Sequence, residues 1–233
     1  TIDVARGVVK DYSAFVVFDV TRVPYKVVAT YKNNEIKPFV FPSIIEKTCK
    51  AYNTAHVLTE VNDLGQQIAE TLHLEMEYDN MLMTTQRGRA GQILGIGFSA
   101  RGSSTGVRMT KQVKKIGCSN FKDIIESDKI FINDFQIIEE MSTFSRRGNS
   151  WMAEEGCNDD LMTCLILFGW LSNQQYFKEM TDLNIRAQLH EEQKNLIEQD
   201  MAPFGFVDNG VDEVEPDIDE YGTVWHPVTR KGL

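Results

Sequence analysis

The run from Leu161 to Phe177, with L-I-L-F-G-W-L at its middle, constrains this chain more than any other feature. Its leucines, together with Met162, Ile166, Phe168 and Trp170, would surround a helix with apolar side chains on most sides. Such a helix cannot lie on a surface. It has to be buried, and the rest of the chain must supply the layers that cover it. At 233 residues, 42% hydrophobic and 25% charged, the chain has the material to do so and falls outside collagen, coiled-coil and disordered classes. The length allows one large domain or two small ones, at about 100–200 residues each. No apolar run approaches the roughly 18–20 residues of a membrane helix, and no basic-apolar-small leader is present. The chain therefore reads as soluble, and its start at Thr1 rather than methionine reads as a fragment of a longer protein.

Ahead of that helix the pattern alternates strands and helices. Tyr12–Val20 and Tyr25–Tyr31 are β-branched and aromatic runs joined by a short link containing Pro24, which predicts an antiparallel hairpin. Thr1 to Asp3 would pair with it as the end of a strand, before a turn at Arg6-Gly7. Ser43 is the expected cap of an amphipathic helix, His56 to Thr59 a short strand ending at Glu60, Leu64 to Leu74 a helix and Met81 to Met83 a strand. The stretch Gly88–Gly106, rich in Gly, Ser and Arg, predicts a flexible excursion. Beyond it come a helix capped by Ser119 over Phe121–Ser127, a strand at Ile130–Ile132, a helix at Phe135–Met141, a brief strand at Trp151 and the apolar helix, capped by Asn158 or Asp159. This order gives an α/β class. Residues 1–180 read as one domain, and 181–233 as an acidic extension, peripheral or partly mobile, with a charged helix over Arg186–Gln199.

The net charge of −10 is unevenly placed. Residues 179–233 carry 13 Asp and Glu against 4 Lys and Arg, leaving 21 acids and 20 bases in the rest. No acid lies between Asp79 and Asp123, whereas Arg87, Arg89, Arg101, Arg108, Lys111, Lys114 and Lys115 do. An acidic protein thus holds a concentrated basic strip, the electrostatic footprint of a polyanion site.

Several apparent motifs fail their context tests. Gly95 to Ala100 fits G-x-G-x-x-A, but Arg101-Gly102-Ser103-Ser104 is a poor helix start. Gly102 to Gly106 fits G-x-S-x-G without the rigid strand-to-helix turn a nucleophile elbow needs. No Walker A loop occurs, the four histidines form no H-E-x-x-H, and Cys49, Cys118, Cys157 and Cys164 contain no C-x-x-C pair, which reads as reduced, mostly core thiols.

The acids are more telling. Asp3 and Glu60 lie at predicted strand ends and Asp159-Asp160 at the first turn of the buried helix, places that can converge on one edge of an α/β sheet. Simple capping is the alternative role for Asp159-Asp160. Three converging carboxylates cannot all stay ionised unless cations bind, and hard oxygen donors select Mg²⁺ or Mn²⁺. Two such ions can activate a water and stabilise the leaving oxygen in an in-line attack on phosphate. Asp11, opening the second strand, is either a fourth ligand or a surface acid at a strand end.

T-I-D-V-A-R-G-V-V-K-D-Y-S-A at the start, T-E-V-N around Glu60, and S-W-M-A-E-E-G-C-N-D-D-L followed by L-I-L-F-G-W-L resemble the C-terminal nuclease domain of the large terminase subunit of tailed bacteriophages, over most of Thr1 to Phe177. The myovirus type is the most similar. The resemblance implies a ribonuclease H-like fold with a mixed central sheet and flanking helices. It also implies metal ligation by Asp3, Asp11, Glu60 and Asp160, with Asp3, Glu60 and Asp160 catalytic and Asp159 able to exchange with Asp160, since helix neighbours point about 100° apart. The Gly88–Gly106 stretch departs from that pattern in being longer and more glycine-rich.

Beside such a site, phosphate contact becomes the expectation for Arg101, Arg108, Lys111, Lys114, Lys115, Arg146 and Arg147. The implied activity is cutting of concatemeric DNA in headful packaging, together with a part in translocation. The implied partners are double-stranded DNA, an N-terminal packaging ATPase of the same full-length chain, the portal protein and the small terminase subunit. The implied location is the infected host's cytoplasm, at the prohead portal. A DNA-gripping module that docks on the portal, and a resolvase- or transposase-like nuclease of the same fold, are the competing readings.

Overall fold

The computed structural model describes residues 1–5, 12–62, 64–85, 92–96, 103–148, 150–182, 194, 217–218 and 220–225. The chain forms two compact units, Thr1–Ala187 and Gln188–Leu233. In the second, β10 (Asp217–Ile218) and β11 (Val224–Trp225) pair antiparallel.

In the first unit, β1 (Ile2–Asp3) pairs antiparallel with β2 (Ser13–Asp19), and β2 antiparallel with β3 (Tyr25–Asn33). The outer edge of β3 pairs parallel with β7 (Ile130–Phe131). On the other side of β1 runs the extended segment 57–61. The Ile2 N–H donates to Leu58 O at 2.9 Å and the Glu60 N–H to Ile2 O at 2.9 Å, a parallel link between Ile2 and Thr59. That segment in turn bonds to Leu82 and Val107, which join it to β4 (Leu82–Thr85) and its neighbours. Parallel and antiparallel pairs therefore occur in one sheet.

Side chains alternate across the sheet, and the alternation sorts them into two cores. Ala14, Val16, Leu58 and Leu82 pack on the face covered by α3 (Lys111–Glu126) and α5 (Asp160–Ser172). Ile2, Phe15, Val57 and Met81 pack on the opposite face, against α1 (Phe41–Ala51), α2 (Leu64–Glu70) and a π-helical turn at Thr71–Glu75. α5 is buried at every position from Leu161 to Leu171, as its apolar composition requires. It meets α3 at two glycines. A Cβ on Gly117 would fall 2.3 Å from the Ile166 carbonyl oxygen, and one on Gly169 would fall 2.4 Å from the Gly117 carbonyl oxygen. The backbones touch there.

The structure corrects several sequence expectations. The first helix begins at Phe41, after Val40, so Ser43 lies inside it rather than capping it; Pro42 fits the opening turn, where its missing N–H costs nothing. The Gly88–Gly106 stretch is not simply an excursion: β5 (Gln92–Ile96) and β6 (Ser103–Thr105) flank β4 on both sides. Main-chain bonding needs only extended backbone, so Gly and Ser composition did not prevent it. α3 starts eight residues before Ser119, its N-terminus capped by the Thr110 hydroxyl, which accepts the Val113 N–H at 3.1 Å. The apolar helix stops at Ser172 and helix resumes over 175–182, with Asn173, a poor helix former, between them. The turn expected at Arg6-Gly7 and most of the helix expected at Arg186–Gln199 lie outside the described residues.

All four cysteines are free thiols. Burial pushes the Cys118 thiol up to about 11, and raises Cys49 and, further, Cys164. Cys157 is exposed. One thiol per chain, Cys157, is therefore expected to react quickly with a disulfide reagent at pH 8, and Cys157→Ser to remove that fast phase. Two or more fast equivalents in the native protein would contradict the packing.

Candidate active site

One row of side chains crosses the sheet beneath the N-terminus of α5. Asp3 is opposite Ala14, and Ala14 is opposite Lys32 on β3, so these three share a face. The parallel link of Ile2 to Thr59 sets Glu60 beside Asp3. Parallel neighbours end together, which is why two strand-end acids 57 positions apart in sequence meet at one edge. Ala14 is fully buried and its small side chain leaves room for the helix end above it.

Asp3 and Glu60 are joined by a side-chain hydrogen bond. Burial, and then the Glu60 charge, hold the Asp3 carboxyl well above the ordinary carboxylate range; Asp160 and Asp159 add to the shift through space. Burial also raises Glu60, against bonds from Asp3 and the Asn62 amide and the charge of Lys114. Two buried carboxyls this close disfavour full ionisation of both.

Asp160 opens α5. Burial lifts its carboxyl to about 6, opposed by Lys32 and reinforced by Glu140. Its Oδ1 accepts the Tyr12 N–H at 3.3 Å, and its Oδ2 lies 3.7 Å from Lys32 Nζ. Asp159 occupies the capping position, yet its side chain makes no capping bond. Glu140, on α4 (Phe135–Thr143), reaches across instead: its Oε2 accepts the Met162 N–H at 2.9 Å. Capping is thus not what Asp159 and Asp160 do here, and Asp159 sits 3.7 Å from Lys114 Nζ. Among the described residues no three acid, histidine or cysteine side chains close around one point as a finished ion cage. Asp3 and Glu60 form one bonded pair, and the two aspartates act on it from the helix end.

The basic residues fall on adjoining elements. Arg108 is exposed just before α3, Lys111 and Lys115 are exposed on it, and Lys114, partly buried, points its ammonium over the Phe144 ring at 5.5 Å. Phe144 begins β8 (Phe144–Arg147), which pairs with β9 (Ser150–Ala153) in a hairpin carrying the exposed Arg146 and Arg147. The Arg146 guanidinium lies 5.6 Å from the Trp151 ring. Asp11 and Arg101 lie outside the described residues. Lys32 and Glu140 escaped the sequence reading. The predicted hairpin carried the only available signal, because its register is what sets Lys32 across from Ala14.

A family model for the terminase RNase H-like domain matches residues 1–182. The chain belongs to that family. The crystal structure of the large terminase nuclease from thermophilic phage G20c aligns with this terminase domain at a TM-score of 0.53 and 19% identity, over 75% of this chain and 80% of that one. The same nuclease with bound cobalt aligns at 0.52 and 18% identity, over 75% and 79%. At such identities the likeness establishes the fold, and it is the ribonuclease H-like one, a mixed sheet between helical layers. No helix among the described residues is long and apolar enough to cross a membrane.

Proposed function

We propose that this terminase domain is a divalent-metal-dependent DNA endonuclease, cutting concatemeric phage DNA when headful packaging begins and ends and contributing to translocation. The observation that carries this reading is the placement of Asp3 and Glu60 side by side beneath a helix end whose two aspartates are released from capping. The donor chemistry fits: four carboxylates, all hard oxygen donors, suit Mg²⁺ or Mn²⁺, and two buried carboxyls held side by side favour a cation beside them. The cobalt-bound relative of the same fold supports a divalent ion here. Asp3, Glu60 and Asp160, joined by Asp159 and Asp11, would hold two ions, which when bound activate water and stabilise the leaving oxygen. Arg108, Lys111, Lys114, Lys115, Arg146 and Arg147 would grip the phosphate backbone without reading sequence, with Arg101 as a further contact.

In the infected cell the domain would work at the prohead portal, with an N-terminal packaging ATPase, the portal protein and the small terminase subunit as partners. The test is conversion of supercoiled plasmid to nicked and linear forms with Mg²⁺, with Mn²⁺ and with chelator. Cutting in either metal that stops in chelator is expected. Salt-sensitive DNA binding with no cutting in either metal would reassign the domain to gripping and docking.

A further inference from the structure

Glu140 is 5% exposed, and each of its two oxygens bonds a group beside the aspartates. One of its oxygens takes the Met162 N–H at the α5 terminus and the other bonds the Lys32 ammonium. Lys32 makes its short contact there, stays 3.7 Å from Asp160, and lies 4.6 Å from the centre of the Tyr12 ring. Two competing uses of the aspartates are thereby limited: Glu140 takes the terminus bond, and Lys32 sits closer to Glu140 than to Asp160. A free helix terminus attracts a capping carboxylate, for which Asp159 is already in position, and a free ammonium closes on the nearest carboxylate, which is that of Asp160.

We propose that Glu140 is a positioning residue: by filling the helix terminus and retaining Lys32 it keeps the oxygens of Asp159 and Asp160 available to a divalent cation. This rests on the metal-dependent reading of the site. Lys114, the other lysine at the aspartate pair, stands by Asp159 with 22% of its side chain exposed and its ammonium over the Phe144 ring.

Glu140→Gln preserves volume and an acceptor for Met162 while weakening the hold on Lys32. Calorimetric titration with Mn²⁺ and the Mn²⁺ concentration for half-maximal plasmid cutting are the two readouts. Both are expected to rise about 10–100-fold, the scale of outer-shell partners of a metal site, with DNA affinity in chelator unchanged. Lys32→Met in the Glu140→Gln background is expected to recover most of the Mn²⁺ affinity, because the competing ammonium is gone; a purely structural role for Glu140 would give no recovery. Wild-type Mn²⁺ affinity in Glu140→Gln, or a double variant no better than the single one, overturns the proposal. Should Glu140→Gln fail to fold, Lys32→Met alone decides: Mn²⁺ affinity at or above wild type supports the proposal and weaker affinity overturns it. A wild-type protein that neither binds Mn²⁺ nor cuts removes the metal reading itself and this proposal with it, whereas an intact wild type with an indifferent Glu140→Gln removes this proposal alone.

Discussion

Glu60→Gln and Asp160→Asn are each expected to lower plasmid cleavage by roughly 10²–10³-fold, the scale on which one electrostatic stabiliser of a transition state acts. DNA binding in chelator should survive, because the basic side chains are other residues, on or just before α3 and on the β8–β9 hairpin. Stability should not suffer either. Glu60 and Asp160 both carry raised carboxyl pKa values, Asp160 up to about 6, so the folded chain holds protons that the unfolded chain releases. That contribution is present at acid pH and is lost as pH rises through about 6, so in chelator at pH 8 the neutral replacements relieve a cost. Thermal melts at pH 8 check this. Single variants cutting at near wild-type rate would take both residues out of the mechanism, and variants that melt far below wild type would make lost cutting uninformative.

The second large effect is at the α3–α5 crossing. Replacing an interior helical glycine by alanine ordinarily gains about 1 kcal/mol. Gly169→Ala and Gly117→Ala are expected to do the opposite, each destabilising by about 1–3 kcal/mol, because the new Cβ meets a backbone carbonyl that cannot rotate away. For a chain of this size that corresponds to a fall in Tm of about 2–4 °C per kcal/mol. Thermal denaturation of the two variants tests it, and an unchanged or raised Tm in both would mean that the helices do not approach as closely as described. Asn120 strengthens the expectation, since its amide donates to the Gly169 carbonyl at 3.1 Å and would be displaced as the helices part.

Much of this was legible in the residues. The hairpin at β2–β3 announced itself through β-branched and aromatic runs joined by a short link, and α5 through apolar side chains on every side, since both signals are local. The acids at strand ends and at the D-D pair could be named because polar groups at element ends are conspicuous against apolar runs. What stayed hidden depends on pairing between distant segments. β5 and β6 lack a distinctive composition, and their strand character comes from bonding to β4. Glu140 sits in a helix beside a second glutamate, Glu139, and only the packing of α4 against α5 shows that it does the capping for which Asp159 was the obvious candidate.

β1 is two residues long, and Asp3 is half of it. A strand so short has almost no stability of its own. It is kept in place by Leu58 and Glu60 on one side and by the bond from the Val16 N–H to Thr1 O on the other. Two separate segments of the chain, one at Val16 and one at Leu58 to Glu60, must both be seated before Asp3 faces Glu60. On the proposed reading, local opening of this edge, far short of global unfolding, is enough to part Asp3 from Glu60, and cutting would stop while the basic side chains of α3 and the β8–β9 hairpin keep their places.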